Sequence, residues 1–125
     1  MPVLVVDDSS TTINILRRLL RQLGFDDVDD APHGAAALAK MRARRYGLVL
    51  SDWNMAPMTG HDFLKEIRGD PLLKRTPFIM ITAESKIENV IAAKRAGVDN
   101  YILKPFDAQT LKTKTDMVLA AKLPA

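Results

Sequence analysis

Four short apolar runs in this chain end on residues that carry chemistry, and this repeat constrains the fold more than any other feature. Val3-Leu4-Val5-Val6 leads into Asp7-Asp8, and Leu48-Val49-Leu50-Ser51 leads into Asp52. Phe78-Ile79-Met80-Ile81 leads into Thr82-Ala83, and Tyr101-Ile102-Leu103 into Lys104-Pro105. A fifth polar residue, Asn54, trails Asp52 by two positions. Apolar runs of this length, bounded by turn or helix signals, read as buried strands. In a parallel sheet every strand ends on the same edge, and ligands bind outside those carboxyl ends. The pattern therefore predicts three carboxylates, a hydroxyl and an amine converging at one site. Carboxylates attract a hard divalent cation, while a lysine and a hydroxyl suit a phosphoryl group. Together they are the chemistry of an aspartyl phosphate.

Between the runs the apolar spacing is helical. Ser9 or Ser10 is positioned to cap a first helix, with Ile13, Leu16, Leu20 and Leu23 on one face, Arg17, Arg18 and Arg21 pointing away, and Gly24 as its stop. Val28 marks a weak second strand. A second helix is expected from about Ala35 to Arg44, with Leu38 and Met41 inward. A third spans Asp62 to Arg68 and is entered through Thr59-Gly60. A fourth spans Lys86 to Ala96 and is stopped by Gly97. Asp107 caps a last helix running to about Ala121. Five strands alternating with five helices predict an α/β domain with a parallel sheet, helices on both faces and right-handed crossovers.

Composition narrows the class. At 125 residues, 47% of them hydrophobic, the chain has the size and core material of a single domain covering 1–125. No apolar stretch approaches the roughly 20 residues of a membrane span. The first residues go straight into a strand pattern, so no signal peptide is expected. The absence of cysteine excludes disulfides, thiolate metal sites and cysteine nucleophiles. It fits a reducing cytosol, and a cytoplasmic location is expected. The net charge is +3, with basic clusters at Arg17, Arg18, Arg21 and at Arg42, Arg44, Arg45. These read as solvated helix faces rather than a nucleic-acid surface, because no aromatic residue lies among them.

Asp7-Asp8, Ser51-Asp52-Trp53-Asn54-Met55, Thr82-Ala83-Glu84 and Lys104-Pro105-Phe106, in this order and at these separations, resemble the receiver domain of two-component response regulators. The segment Lys86 to Gly97 and the dipeptide Tyr101-Ile102 resemble its chemotaxis, CheY-like branch. The resemblance covers essentially the whole chain and implies a flavodoxin-like sheet of strand order 2-1-3-4-5. It implies that Asp52 is the phospho-acceptor, its carboxylate forming a mixed anhydride. The adjacent acids Asp7 and Asp8 repel unless a cation neutralises them. Magnesium is suited, with few protein ligands and retained waters. By resemblance Asp8, Asp52 and the backbone carbonyl of Asn54 bind it directly, and Asp7 acts mostly through water. Lys104 would pair with Asp52 at rest and with a phosphoryl oxygen afterwards, before a cis bond to Pro105. Thr82 would be the switch hydroxyl and Tyr101 the ring that turns inward when Thr82 moves. Asn54 and Glu84 sit where the family tunes dephosphorylation.

The implied partners are a CheA-like histidine kinase and a flagellar motor switch protein or other output protein, with no nucleic acid and no membrane, and the chain is expected to act as a monomer. No output domain is expected beyond Ala125, so the output is expected to be a surface on the fourth helix, fifth strand and fifth helix, with Lys86, Val90, Tyr101, Lys112 and Lys114 as candidates. The expected role is not enzymatic beyond self-phosphorylation from phosphodonors and autodephosphorylation. A haloacid-dehalogenase-type phosphatase would place its nucleophile on the first strand in an Asp-x-Asp pattern, whereas here Asp7 and Asp8 are adjacent. No Gly-x-Gly-x-x-Gly or Walker motif supports nucleotide binding. His33 and His61 fall in no motif, and neither is expected to carry a phosphoryl group. Three departures from the family pattern bear on the acceptor loop. Ala56 precedes Pro57 where the family has proline one residue earlier, Thr59 replaces an acid before the glycine, and Ser9 stands where relatives can carry an aromatic.

Overall fold

The computed structural model describes residues 1–83 and 85–122, the last of these in its backbone only. The expected alternation is present throughout. The strands are β1 (Val3–Val6), β2 (Val28–Ala31), β3 (Leu48–Ser51), β4 (Phe78–Thr82) and β5 (Asn100–Leu103). The helices are α1 (Ser10–Gln22), α2 (Gly34–Ala43), α3 (Gly60–Gly69), α4 (Ile87–Ala96) and α5 (Ala108–Lys122). All strand pairs are parallel, in the order β2-β1-β3-β4-β5. No described helix is long and apolar enough to cross a membrane.

Side chains alternate across a strand, so the sheet divides the apolar residues into two cores. Leu4, Val6, Val49, Phe78 and Met80 face α2 and α3, where they meet Leu38, Met41, Phe63, Leu64 and Ile67. Val3, Val5, Leu48, Leu50, Ile79 and Ile81 face α1 and α5, where they meet Ile13, Leu16, Leu20, Leu111 and Val118. Each fully buried Leu, Ile or Phe contributes roughly 1.5–3 kcal/mol relative to exposure. α4 is the exception, with Ala93 as its one fully buried residue.

Capping chemistry sets the helix starts. The Ser9 hydroxyl accepts the Thr12 N–H, so Ser9, not Ser10, is the first cap. Thr59 Oγ1 accepts the Asp62 N–H at 3.1 Å, and Asp107 Oδ1 accepts the Thr110 N–H at 2.7 Å. α2 ends at Ala43, one residue before the expected limit, because Arg44 is extended (φ −150°, ψ 139°). Its guanidinium reaches Asp27 and, at 2.9 Å, Asp29. Arg44 and Arg45 therefore lie in the loop before β3 rather than on a helix face, which corrects the expectation for that cluster. Gly97 closes α4 in the left-handed region at φ 98°, a conformation that favours glycine.

Candidate functional site

Strand register brings the motifs together. Val6 of β1 lies opposite Ser51 of β3, so the next residues, Asp7 and Asp52, leave the sheet side by side. The Asp52 N–H donates to the Val6 carbonyl at 3.0 Å, and the Asp7 N–H to the Ala31 carbonyl at 3.1 Å. One strand pair further along, Thr82 lies opposite Leu103, and the Lys104 N–H donates to the Thr82 carbonyl at 2.9 Å. Asp7, Asp8, Asp52, Thr82 and Lys104 thus share the carboxyl edge of the sheet, as the apolar runs predicted. The Lys104–Pro105 peptide is cis, as the resemblance implied, and so is Ala56–Pro57.

Carboxylate oxygens of Asp7, Asp8 and Asp52 all lie within 4.8 Å of one another. Asp7 and Asp52 are buried, and Asp8 is exposed. The Lys104 amine is 3.3 Å from Asp7 Oδ2 and 3.6 Å from Asp52 Oδ2. It therefore bridges both acids, with Asp7 the nearer partner; sequence reasoning had paired it with Asp52. Asp52 Oδ1 accepts the Trp53 N–H at 2.8 Å, which fixes the carboxylate plane. Asp7 Oδ1 accepts the Ser9 N–H at 2.9 Å. Burial pushes the Asp7 carboxyl above its usual range, against the pull of the Ser9 N–H and the Lys104 charge, and the neighbouring Asp52 charge adds to the rise. With all three acids ionised, the single ammonium leaves two negative charges uncompensated. An all-oxygen donor set with that excess fits a hard divalent cation, and the composition of the cluster is that of a hydrated magnesium site.

The remaining residues surround this cluster. Thr82 is fully buried at the end of β4. Tyr101 is half-buried and packs on the core that includes Met55 and Phe63. Asn54 is exposed in the loop after Asp52, and Glu84 lies outside the described residues. The α3 backbone approaches Asp52 tightly at Gly60: its N–H donates to the Trp53 carbonyl at 2.8 Å, and a Cβ there would stand 2.0 Å from the Asp52 carbonyl oxygen.

Two departures from the family pattern have local roles. Thr59 caps α3, and Ser9 both caps α1 and binds Asp7 through its backbone. Sequence reasoning missed two further contacts. The His61 ring stacks on Trp53 with centroids 5.1 Å apart and planes 4° from parallel. His33 Nδ1 accepts the Ala36 N–H at 3.1 Å and caps α2. The place of His33 just before Gly34 was the available signal for the cap; the stack had none.

A family model described as the response regulator receiver domain matches residues 3–116. The chain belongs to this family. The receiver is 48% identical over 118 residues to the chemotaxis protein CheY-3 of Vibrio cholerae, covering 94% of this chain and 91% of the relative. It is 43% identical to the chemotaxis protein CheY of Pseudomonas aeruginosa, covering 94% and 95%. Among solved structures it is similar to Vibrio cholerae CheY4, with TM-score 0.87, 35% identity and coverage of 94% and 97%. A CheY-like receiver from Methanospirillum hungatei superposes with TM-score 0.88 at 27% identity, covering 97% and 94%. The receiver is a two-component response regulator, and the acidic pocket is where receiver domains bind Mg2+.

Proposed function

We propose that this receiver is phosphorylated on Asp52 by a CheA-like histidine kinase, and that the phosphoryl group switches a protein-binding surface in chemotaxis. Residues 1–125 act as one domain and as a monomer. The observation that carries the reading is the Lys104 amine held 3.3 Å from Asp7 and 3.6 Å from Asp52 at the rim of a three-carboxylate cluster. An oxygen of Asp52 attacks the phosphorus of the phosphohistidine. The P–O bond forms as the P–N bond breaks, and the electron pair leaves with the imidazole, which takes up a proton. Asp8, Asp52 and the Asn54 carbonyl would hold Mg2+, with Asp7 acting through water, and the ion would supply neutralisation of the transferring oxygens.

At rest Lys104 divides its charge between Asp7 and Asp52. After transfer it pairs with a phosphoryl oxygen, and the Thr82 hydroxyl bonds another. A phosphoryl group brings about −1.5 to −2 charges, enough to bias a two-state loop. The loop after Thr82 is drawn in and Tyr101 turns inward. The surface of α4, β5 and α5 then changes shape, with Lys86, Val90, Lys112 and Lys114 around it. The shallow docking of α4 supports this choice, as do Ile87, Ile91, Leu103 and Met117, which expose apolar side chains there. A flagellar motor switch protein is the proposed output partner.

Intact-mass measurement with a small acyl phosphate and magnesium tests the acceptor: wild type gains one phosphoryl group and Asp52→Asn gains none. A persistent gain in Asp52→Asn would refute it. Thr82→Ala is expected to accept phosphate yet leave the α4, β5 and α5 amide shifts at their resting values when a beryllofluoride mimic is added.

A further inference from the structure

The edge of the sheet opposite the acid cluster carries a cleft of about 520 Å³. One wall is the end of α2 and the loop into β3, and the other is the turn between α3 and β4. Both walls lead into the amino ends of strands, whereas Asp52 follows a carboxyl end. Met41, Tyr46 and Leu73 are buried and form an apolar floor, while Leu72 on the lip is 87% exposed.

Both walls are held rigidly by arginines that are themselves used up. Arg44 reaches back to Asp27 and Asp29 on the β2 side, and the Tyr46 hydroxyl donates to Asp29 Oδ2 at 2.5 Å. Across the cleft, Arg68 donates to the carbonyls of Lys74 at 3.0 Å and Thr76 at 2.7 Å, and pairs with Asp99 at 3.0 Å. Arg42 is half-neutralised by Asp70 at 3.5 Å. Arg45 and Arg75 differ: both are exposed at the cleft, and neither forms an ion pair among the described residues. Among the described residues no carboxylate lines the cleft. A preformed apolar floor beneath two uncompensated guanidiniums is complementary to an anionic group joined to an apolar one. Leu72 on the lip extends the apolar surface beyond the cleft, which favours a polypeptide over a compact small molecule. Arginine with exposed apolar anchors is also the composition of protein interfaces.

We propose that this cleft is a second docking site, for an acidic segment of a partner protein that inserts an apolar side chain between Arg45 and Arg75. It lies on the edge away from the phosphorylation chemistry, so it holds its partner in resting and phosphorylated forms alike. It does not depend on the switch proposed above.

The probe is a fluorescein-labelled nonapeptide of glutamates with one central tryptophan, titrated by anisotropy and by amide shifts of the full chain. Binding is expected to move amides at 41–46 and 71–77. The double variant Arg45→Glu/Arg75→Glu is expected to weaken binding by about ten-fold or more, and Leu72→Ser by several-fold. Neither change touches a buried contact, and an unchanged melting temperature verifies the fold. Asp52→Asn and beryllofluoride are expected to leave the affinity unaltered. The proposal is overturned if the shifts fall elsewhere, or if the charge reversal has no effect. Equal binding by all-glutamate peptide, or tighter binding by a nucleoside monophosphate, would overturn the acidic-apolar peptide as occupant.

Discussion

Gly60→Ala tests whether the acceptor is positioned by the close approach of α3. The added Cβ would lie 2.0 Å from the Asp52 carbonyl oxygen and 2.9 Å from both the Asp52 carbonyl carbon and Trp53 Cα. All three are backbone atoms, so no side chain can swing aside. Restoring van der Waals contact requires the loop and helix to part by at least about 1 Å. That shift also stretches the bond from the Gly60 N–H to the Trp53 carbonyl, now 2.8 Å. Overpacking of this kind costs about 1–3 kcal/mol, which for a domain of this size lowers the melting temperature by roughly 4–12 °C. Displacing a reacting group by about 1 Å costs on the order of 10²-fold in rate.

Phosphorylation rate from acyl phosphate with saturating magnesium, followed by intact mass, is the assay. Two other glycines serve as controls. A Cβ on Gly69 meets nothing within 4 Å, and one on Gly34 meets the flexible Met58 thioether at 2.6 Å. Gly69→Ala is expected to keep the wild-type rate, and Gly34→Ala to lose little. A Gly60→Ala protein that phosphorylates within about two-fold of wild type at an unchanged melting temperature would refute the positioning argument.

Three further outcomes are expected. Thr115 is fully buried and its hydroxyl has no hydrogen-bond partner among the described residues, so Thr115→Val is expected to stabilise the domain by about 1 kcal/mol, read from urea midpoints. Burial raises the Asp7 pKa, so ionised Asp7 is a cost that is complete above its folded pKa and disappears as pH falls; Asp7→Asn is expected to raise the melting temperature without magnesium at neutral pH while weakening magnesium binding, and a lower melting temperature would contradict the sign. Asp29, held low first by the Tyr46 hydroxyl and then by Arg44, and Asp107, held low by the Thr110 N–H, contribute stability present above about pH 4 and lost as pH falls through their folded values; the acid limb of a stability–pH profile is expected to be shallower in Asp29→Asn.

The carboxyl edge of this fold was legible because Asp7, Asp52, Thr82 and Lys104 each directly follow an apolar run, and a parallel sheet must gather such residues. The same logic fails for β2. Of Val28, Asp29, Asp30 and Ala31 only Ala31 is buried, since this edge strand has a neighbouring strand, β1, on one side only. Its acids are held by partners far along the chain: Asp29 by Arg44 and Tyr46, and Asp30 by Arg17. Those contacts also decide where α2 ends, and periodicity does not contain them. Arg68 was read only as the last residue of an amphipathic helix. In the structure its side chain spans 29 residues to the Gly97 carbonyl and 31 to Asp99, which in turn accepts the Phe78 N–H at 2.8 Å. Such links depend on topology already formed. Ser9 and Thr59 depart from the family pattern, yet both are favoured cap residues, and each caps the helix that follows it.

The two edges of the sheet use charge in opposite ways. At the amino edge, Arg68 is buried enough that desolvation lowers its pKa, and it survives as a cation because Asp99 and three backbone carbonyls compensate it. Breaking such a pair by removing one partner costs about 3–5 kcal/mol. At the carboxyl edge the balance is left open, since three carboxylates share one lysine and the most buried of them is pushed toward its neutral form. A cation that completes this balance binds the folded state alone and shifts it by its differential affinity. The ion pairs at the amino edge keep the strands fixed while that happens. α4, by contrast, buries a single residue fully. Under the switch proposed above, charge added at Asp52 moves the α4 side of the sheet, while the arginine cleft on the other edge keeps its shape.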